Sequence, residues 1–538
     1  MANEGYKVTS GGTPSAKVNP FKNKPQVAVT PQKSNKTIGN RYKGMSAKRE
    51  PFLSSARRYS KMSLPGLFND TDGNPTTPQA AGYNQNGWQS LTGAGVNHLS
   101  NKLTMTWFPP QRPFFKMSFS ESAQKSLNSQ GIKQDDLGKL LAGGENRAME
   151  WHNQHAGRIA WNQAAKHLQV AGNAMLYVPE DENVVCYPLD RYVIRRAKGG
   201  RVLLMILEEF KTLVELPDEV RQAVKMKRNG IKDEEEVAVY TQCEWKAGAY
   251  YITEEVEGMR IGNERRVKEE DNPFIPLVWD RLYGEDYGRG LIEVHAGDVY
   301  CYGFLSEQLA KGVALMSQVK FLVKRGSATS PTQHAKAKSG AYLWGEEGDI
   351  HIVQLNKYAD LKSVREVMEI YERRLGNAFL LSSAVRRQAE RVTAEEVRQD
   401  AQELETALGG TYTHIATSGQ GPYSRLLLRR SKFNLGAKDV VPTIVTGLDA
   451  LGKSSDLDKM VQLSQMMQIP NGWAPEAREW IDWGAWIQVC VNNLNMDAPF
   501  LLSKDDHAKM VEQRNQQMQQ QQMMDAAGKA APQLLKGE

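Results

Sequence analysis

LKSVREVMEIYERRLGNAFLLSSAVRRQAERVTAEEVRQDAQELETALGGTYTHIATSGQGPYSRLLLRR, residues 361–430, is the stretch whose periodicity decides the fold class. Leu361, Val364, Met368, Tyr371, Leu375 and Phe379 recur at spacings of three and four, which places one apolar stripe on one face of a helix. A connector from Ser382 to Arg391 follows and carries Arg386, Arg387 and Arg391. Thr393 and Glu396 then form a T-x-x-E capping box that opens a second helix. Its stripe runs Val397, Ala401, Leu404, Leu408, Tyr412 and Ile415, until Gly419, Gly421 and Pro422 kink or break it. Each striped face needs a partner, and no catalytic signature lies nearby. The pattern is that of a helical assembly part.

Outward from this stretch, 538 residues suffice for several domains and a sizeable core. There is no run of 18 apolar residues and no apolar signal segment at the start, so neither membrane insertion nor secretion is expected, and synthesis belongs in the cytoplasm. Cys186, Cys243, Cys301 and Cys490 lie far apart with no C-x-x-C pair; they read as apolar fillers, not as a zinc or disulfide framework. The net charge of +6 is unevenly placed. Residues 1–43 hold seven Lys and Arg41 against Glu4, so this tail outweighs the whole and leaves the remainder close to neutral. A near-neutral body does not grip phosphates strongly. The tail, rich in Pro, Gly, Ser, Asn and Lys, reads as disordered, either a solubilising extension or a DNA- or scaffold-contacting arm.

Residues 45–170 read as mainly helical, with a turn at Asn69–Pro75 that fails the calcium-loop template. Strand signals follow at Met175–Val178, Tyr192–Arg195, Val202–Leu207, Val237–Trp245 and from Tyr250 onward, with turns at Lys198–Gly200 and Lys246–Gly248. One helix near Pro217–Lys227 separates the hairpins. Beyond Gly290 a helix of some thirty residues is expected, with Leu291, Val294, Tyr302, Leu305, Leu309, Val313 and Met316 as packing positions. A loop-rich insert, Lys324–Tyr358, separates it from the Leu361 helix. Trp473, Trp480, Trp483 and Trp486 read as core or subunit packing, and Gln516–Met524 as a frayed helix. The class is α+β, predominantly helical.

Chemical constellations are weak. Gly447–Ser454 matches G-x-x-x-x-G-K-[ST] literally, but Leu448 and Leu451 are bulky, Asp449 would put a carboxylate in the phosphate cradle, and no downstream strand supplies an Asp for magnesium. His152 and His155 stand three apart on a helix and read as core or surface histidines, not metal ligands. No protease, esterase or Cys–His signature occurs, so no enzyme and no cofactor is expected. Lys320, Lys324, Arg325, His334, Lys336 and Lys338 in or beside the insert face DNA, a partner protein or simply solvent.

Several runs carry a resemblance: Arg391–Arg398 with Glu403–Tyr412, Ser63–Phe68, Gly95–Leu103 ahead of Trp107–Pro109, Val170–Pro179, Tyr287–Gly290, and Thr446–Gly452 followed by Asp456–Lys459. Taken in their order along the chain, they resemble the portal, or head-to-tail connector, proteins of short-tailed podophages of the Autographiviridae type, over roughly residues 45–525. The resemblance implies a portal fold of wing, stem, clip and crown, assembled as a ring of twelve. It places a basic tail at 1–43, wing at 44–286, stem helix at 287–323, clip at 324–358, second stem helix at 359–381, tunnel loop at 382–392, long kinked helix and wing at 393–435, crown at 436–505 and a Gln/Met-rich tail at 506–538. Arg386, Arg387 and Arg391 then fall in the tunnel loop, against double-stranded DNA bound without sequence preference. Lys324, Arg325, Lys336, Lys338 and Trp344 fall in the clip, toward a terminase or tail adaptor. Major capsid and scaffolding proteins are the other implied partners, in the virion at the portal vertex and, during assembly, in the host cytoplasm. Two other readings stay open at this point: a P-loop NTPase such as a packaging motor, through Gly447–Ser454, and a monomeric DNA-binding scaffold using the basic arm.

Overall fold

A computed structural model describes residues 29–31, 37–68, 87–109, 113–119, 134–318, 320–327, 329–353, 358–381, 404, 406–432 and 440–444, and helical residues within 510–520. The central layer is helical. Leu91–Trp107 and Gly157–Ala171 pack against each other, flanked by Ile38–Met62 and Gln134–Gln154. Val96, Leu99, Leu103 and Trp107 recur at spacings of three and four and are fully buried against Trp161, Ala164, Ala165 and Leu168. Each such apolar side chain contributes about 1.5–3 kcal/mol by leaving water. His152 sits in this core, stacked on Phe108 and hydrogen-bonded through Nδ1 to the Tyr423 hydroxyl at 2.8 Å. Desolvation pushes its pKa down to about 3, so it is neutral at physiological pH. His155 stacks on Trp151 and bonds that residue's carbonyl at 2.9 Å, so the pair is held by packing.

A six-stranded antiparallel sheet lies beside the helices in the order Val29–Pro31, Met259–Val267, Ala249–Val256, Glu236–Lys246, Val202–Thr212, Tyr192–Arg196. Its hairpin at Lys246 turns through Ala247 and Gly248, at φ +47° and +78°. Two successive left-handed residues match the twist of the strands they join. A second, three-stranded sheet sets Asn173–Tyr177 between Phe274–Val278 and Val185–Tyr187. The strands expected near 175, 192, 202 and 237 are present, several of them longer than their apolar cores. Phe115–Phe119, Val185–Tyr187, Met259–Val267 and Phe274–Val278 are additional, the third being Arg- and Glu-rich on an exposed strip.

The region after Gly290 departs from the expected thirty-residue helix. Leu291–Val294 forms one turn, His295 breaks it, and Ala296–Met316 is the helix proper. Gly297 weakens helix propagation at that point by about 1 kcal/mol relative to Ala. The helix stops at Met316, so residues 320–323, assigned to the stem, are instead the strand Lys320–Val323, paired with Ile350–Val353. The insert is thus an antiparallel ribbon carrying a short helix, Pro331–Lys336. Tyr358–Ala378 returns antiparallel, and its half-buried or buried positions include all of the expected stripe, Leu361 through Phe379. The expected kink is a π-helical segment, Ala416–Gln420, between Gly410–Ile415 and Gly421–Arg430, where Pro422 removes a donor from the next turn.

The N-terminal boundary also differs from expectation. Val29–Pro31 pairs with Met259–Ile261, and Ile38–Met62 begins inside the stretch read as a tail. Thr37 caps this helix by accepting from Asn40 N, and the buried Glu255 carboxylate accepts from Ile38 N (2.7 Å) and Gly39 N (3.1 Å). A carboxylate there also complements the helix dipole. Ile38 and Tyr42 fill a small core with Val193, Leu204 and Ile206. Removing residues 1–28 should leave the thermal midpoint unchanged, whereas removing 1–43 should destabilise the fold by roughly 4 kcal/mol or more, through lost burial and an orphaned Glu255. Calorimetry on the two truncations checks this; equal midpoints would show that the helix start contributes nothing.

Candidate ring-forming hairpin and its anchors

Ala296–Met316 and Tyr358–Ala378 pack as an antiparallel pair of 21 residues each, about 31 Å long. The close fit includes Gly312, where an added Cβ would stand 3.0 Å from Leu361 Cδ2. Both body-proximal ends are anchored. At the entering end, Asn173 Nδ2 donates to the Gly288 carbonyl (2.7 Å) and the Ala171 carbonyl (2.8 Å), and Gly288 N donates to Asn173 Oδ1 at 2.7 Å. Gly172, at φ +72°, lets the chain turn out of Gly157–Ala171, and a Cβ there would lie 2.3 Å from the Arg289 carbonyl carbon. A Cβ on Gly290 would lie 2.5 Å from the Gln169 carbonyl oxygen. The Tyr287 hydroxyl accepts from Ile194 N, tying the same turn to the large sheet. The runs Val170–Pro179 and Tyr287–Gly290 are therefore two halves of one clasp.

At the returning end, Leu375 and Phe379 are fully buried in the helical core. A Cβ on Gly95 would come within 2.6 Å of the Phe379 ring, so only glycine admits the ring at that turn of Leu91–Trp107. Leu380, at φ +54°, ends the helix. Between these anchors the pair is sparsely covered. Val294, Tyr300, Phe304, Val313, Leu315, Val367 and Ile370 are all exposed.

At the far end the ribbon presents Phe321, Leu322 and Ile352 to solvent, with Tyr342 and Trp344 beyond it, Trp344 at 87% exposure. Lys324, Arg325, Lys336 and Lys338 are exposed on the same insert. Asp349 organises its loop by accepting from the Thr329 hydroxyl (2.7 Å) and Glu346 N (3.2 Å); the hydroxyl bond first, then the N–H, holds its carboxyl below the usual range. Arg386, Arg387 and Arg391, the Thr393 capping box, Gly447–Ser454, the Asn69 turn, Cys490 and the four C-terminal tryptophans lie outside the described residues.

Comparison with known proteins completes the assignment. Residues 35–501 match the family of bacteriophage head to tail connecting proteins. The chain belongs to that family. It is 36% identical to the portal protein of Enterobacteria phage SP6 over 92% of this chain and 95% of that one. It is 35% identical to the portal protein of Escherichia phage T7 over 78% and 80% of the two chains, and 29% identical to that of Pseudomonas phage phiKMV over 79% and 83%. The fold class of this head-to-tail connector is the mixed helix and sheet read from its sequence.

In the connector, the strand ahead of the P-loop match, Val440–Ile444, pairs antiparallel with Phe115–Phe119. A P-loop follows a strand of a parallel sheet, so this neighbourhood is the wrong one for nucleotide. Sequence reasoning located the clasp runs but not their mutual bonding, which joins residues 115 positions apart. It also missed Phe321, Leu322 and Ile352, whose sequence signal is only two short apolar runs, Phe321–Val323 after a helix and Ile350–Val353 around His351. Asn173→Ala should orphan the Gly288 N–H and carbonyl and cost about 2–4 kcal/mol, while Arg266→Ala on the exposed strip should stay within about 0.5 kcal/mol. Thermal unfolding of the two variants checks this, and an unchanged midpoint for Asn173→Ala would show that the clasp is dispensable.

Proposed function

We propose that this connector works as a phage portal: copies join side by side into a ring at one capsid vertex, and genomic DNA enters through the ring during packaging and leaves through it at ejection. The observation that carries the reading is the helical hairpin, fixed at its body end yet apolar over faces that one chain leaves open, including Tyr300 at 61% and Ile370 at 48% exposure. Such faces call for another copy. A ring uses a heterologous contact, one face of each subunit on a different face of the next. Twelve subunits is the number the family resemblance suggests. The hairpins would form the stem, residues 324–358 the clip, 382–392 the tunnel loop and 436–505 the crown.

In this reading the connector is a conduit and not an enzyme, and a separate terminase hydrolyses ATP while docked on the clip near Lys324, Arg325, Lys336, Lys338 and Trp344. The tail adaptor later takes the same end, and major capsid and scaffolding proteins hold the outer rim. Assembly takes place in the host cytoplasm. Contacts to the duplex are to phosphates, which carry no sequence information. Arg386, Arg387 and Arg391, repeated around the ring, would form cationic girdles that brake sliding DNA; their pull is screened beyond about 8 Å at physiological ionic strength. Heads assembled without the chain should not fill. Replacing Arg386 and Arg387 with Ala should still give rings, because neither lies on an apolar stripe, but filled heads should retain shortened or less DNA. Genome length from purified particles decides it: full-length DNA removes the braking role, and loss of rings assigns these arginines to subunit ion pairs.

A further inference from the structure

The helix Ile38–Met62 carries four Arg and three Lys against Glu50 alone. Three of the cations are consumed locally. Arg49 is buried and donates to the carbonyls of Asp190 (2.8 Å) and Tyr192 (3.1 Å), Arg41 pairs with Glu244 at 2.8 Å, and Arg57 pairs with Glu50 at 4.0 Å. Others keep their charge outward. Lys43 and Lys48 are exposed and form no ion pair with a described residue. Arg58 is exposed, its guanidinium 5.1 Å from the Tyr59 ring centroid and bonded to the Tyr59 hydroxyl, which fixes the side chain without neutralising it.

The rest of this outward face is small. Gly44, Ala47, Pro51 and Ser54 are exposed, at spacings of three and four, and nothing lies within 4 Å of where a Gly44 Cβ would be. No large apolar residue of the helix is exposed; Ile38, Tyr42, Leu53 and Tyr59 all point into the body. A protein partner would be anchored by buried aromatic or aliphatic side chains, and the helix itself offers none outward; the nearest, Trp88, Tyr300 and Phe304, line a cleft that of these three cations only Arg58 borders. A low, cation-flanked surface instead suits a phosphodiester backbone, whose affinity comes from charge alone. The helix is about 37 Å long, and Lys43 and Arg58 are about 22 Å apart along it, within one duplex turn of about 34 Å.

We propose that the outward face of Ile38–Met62, through Lys43, Lys48 and Arg58, is a second duplex-DNA-binding surface, sequence-independent and outside the channel. It rests on the ring reading only in that a closed ring cannot be threaded by circular DNA. Assembled full-length protein should therefore bind a covalently closed circular plasmid at about 50 mM salt, with affinity falling steeply as salt rises. Lys43→Gln/Lys48→Gln/Arg58→Gln should weaken that binding on the order of tenfold or more and reduce the log–log salt slope by about 2.7, or 0.9 per phosphate contact. Should the triple variant fail to assemble, Lys43→Gln/Lys48→Gln, which removes no ion pair, should reduce the slope by about 1.8. Unchanged affinity and slope would overturn the proposal. Binding of linear but not circular plasmid would refute it while leaving the channel intact. Variants that bind the circle normally but no longer enter capsids would assign the face to a protein and overturn it as well.

Discussion

Asn173 spends both ends of its amide on Gly288, closing a buried two-way hydrogen bond between the strand that leaves the helical core and the turn that launches the projecting hairpin. Each partner is a polar group removed from water, so the bond is a condition of burial more than a gain in itself. Glycines at 172, 288 and 290 let the backbones approach, and a Cβ at any of them would fall within 3 Å of a main-chain atom. The direction of the hairpin is set there, and Phe379 against Gly95 holds the returning helix to the same core.

The two parts of the molecule differ in how they are held. The body is close-packed: Trp107, Trp161, Phe108, Phe114 and Tyr423 are fully buried around a neutral His152. The hairpin beyond its anchors has only Val299 buried in the whole of Ala296–Met316. Apolar helices left so open are stabilised by being covered, and in the proposed ring the next copy would supply that cover. The body already has its own core, and the hairpin would gain its remaining burial on assembly.

Much of this was legible from the sequence. The stripe Leu361–Phe379 appeared at the spacing that the structure covers, because an amphipathic helix writes its buried face directly into its periodicity. The π segment at Ala416–Gln420 was foreshadowed by Gly419, Gly421 and Pro422. Other features were hidden for physical reasons. The break at His295 depends on a balance of about 1 kcal/mol, below what a stripe reveals. The strand Met259–Val267 is polar over much of its length because it lies toward the sheet edge, so its alternation is weak. Val29–Pro31 and the Glu255 contact made part of the supposed tail structural through a partner more than 200 residues away, which no local pattern reports. Of the site, the exposed insert residues were found by position; the tunnel-loop arginines lie outside the described residues.

The central claim is that the exposed faces of the hairpin are covered by neighbouring copies in a closed ring. Electron microscopy of the purified full-length chain, combined with native mass measurement, tests it most directly. The account predicts a closed ring with a central hole, its wall built from the Ala296–Met316 and Tyr358–Ala378 helices of successive subunits. A stable monomer, or an oligomer without a hole, would contradict it.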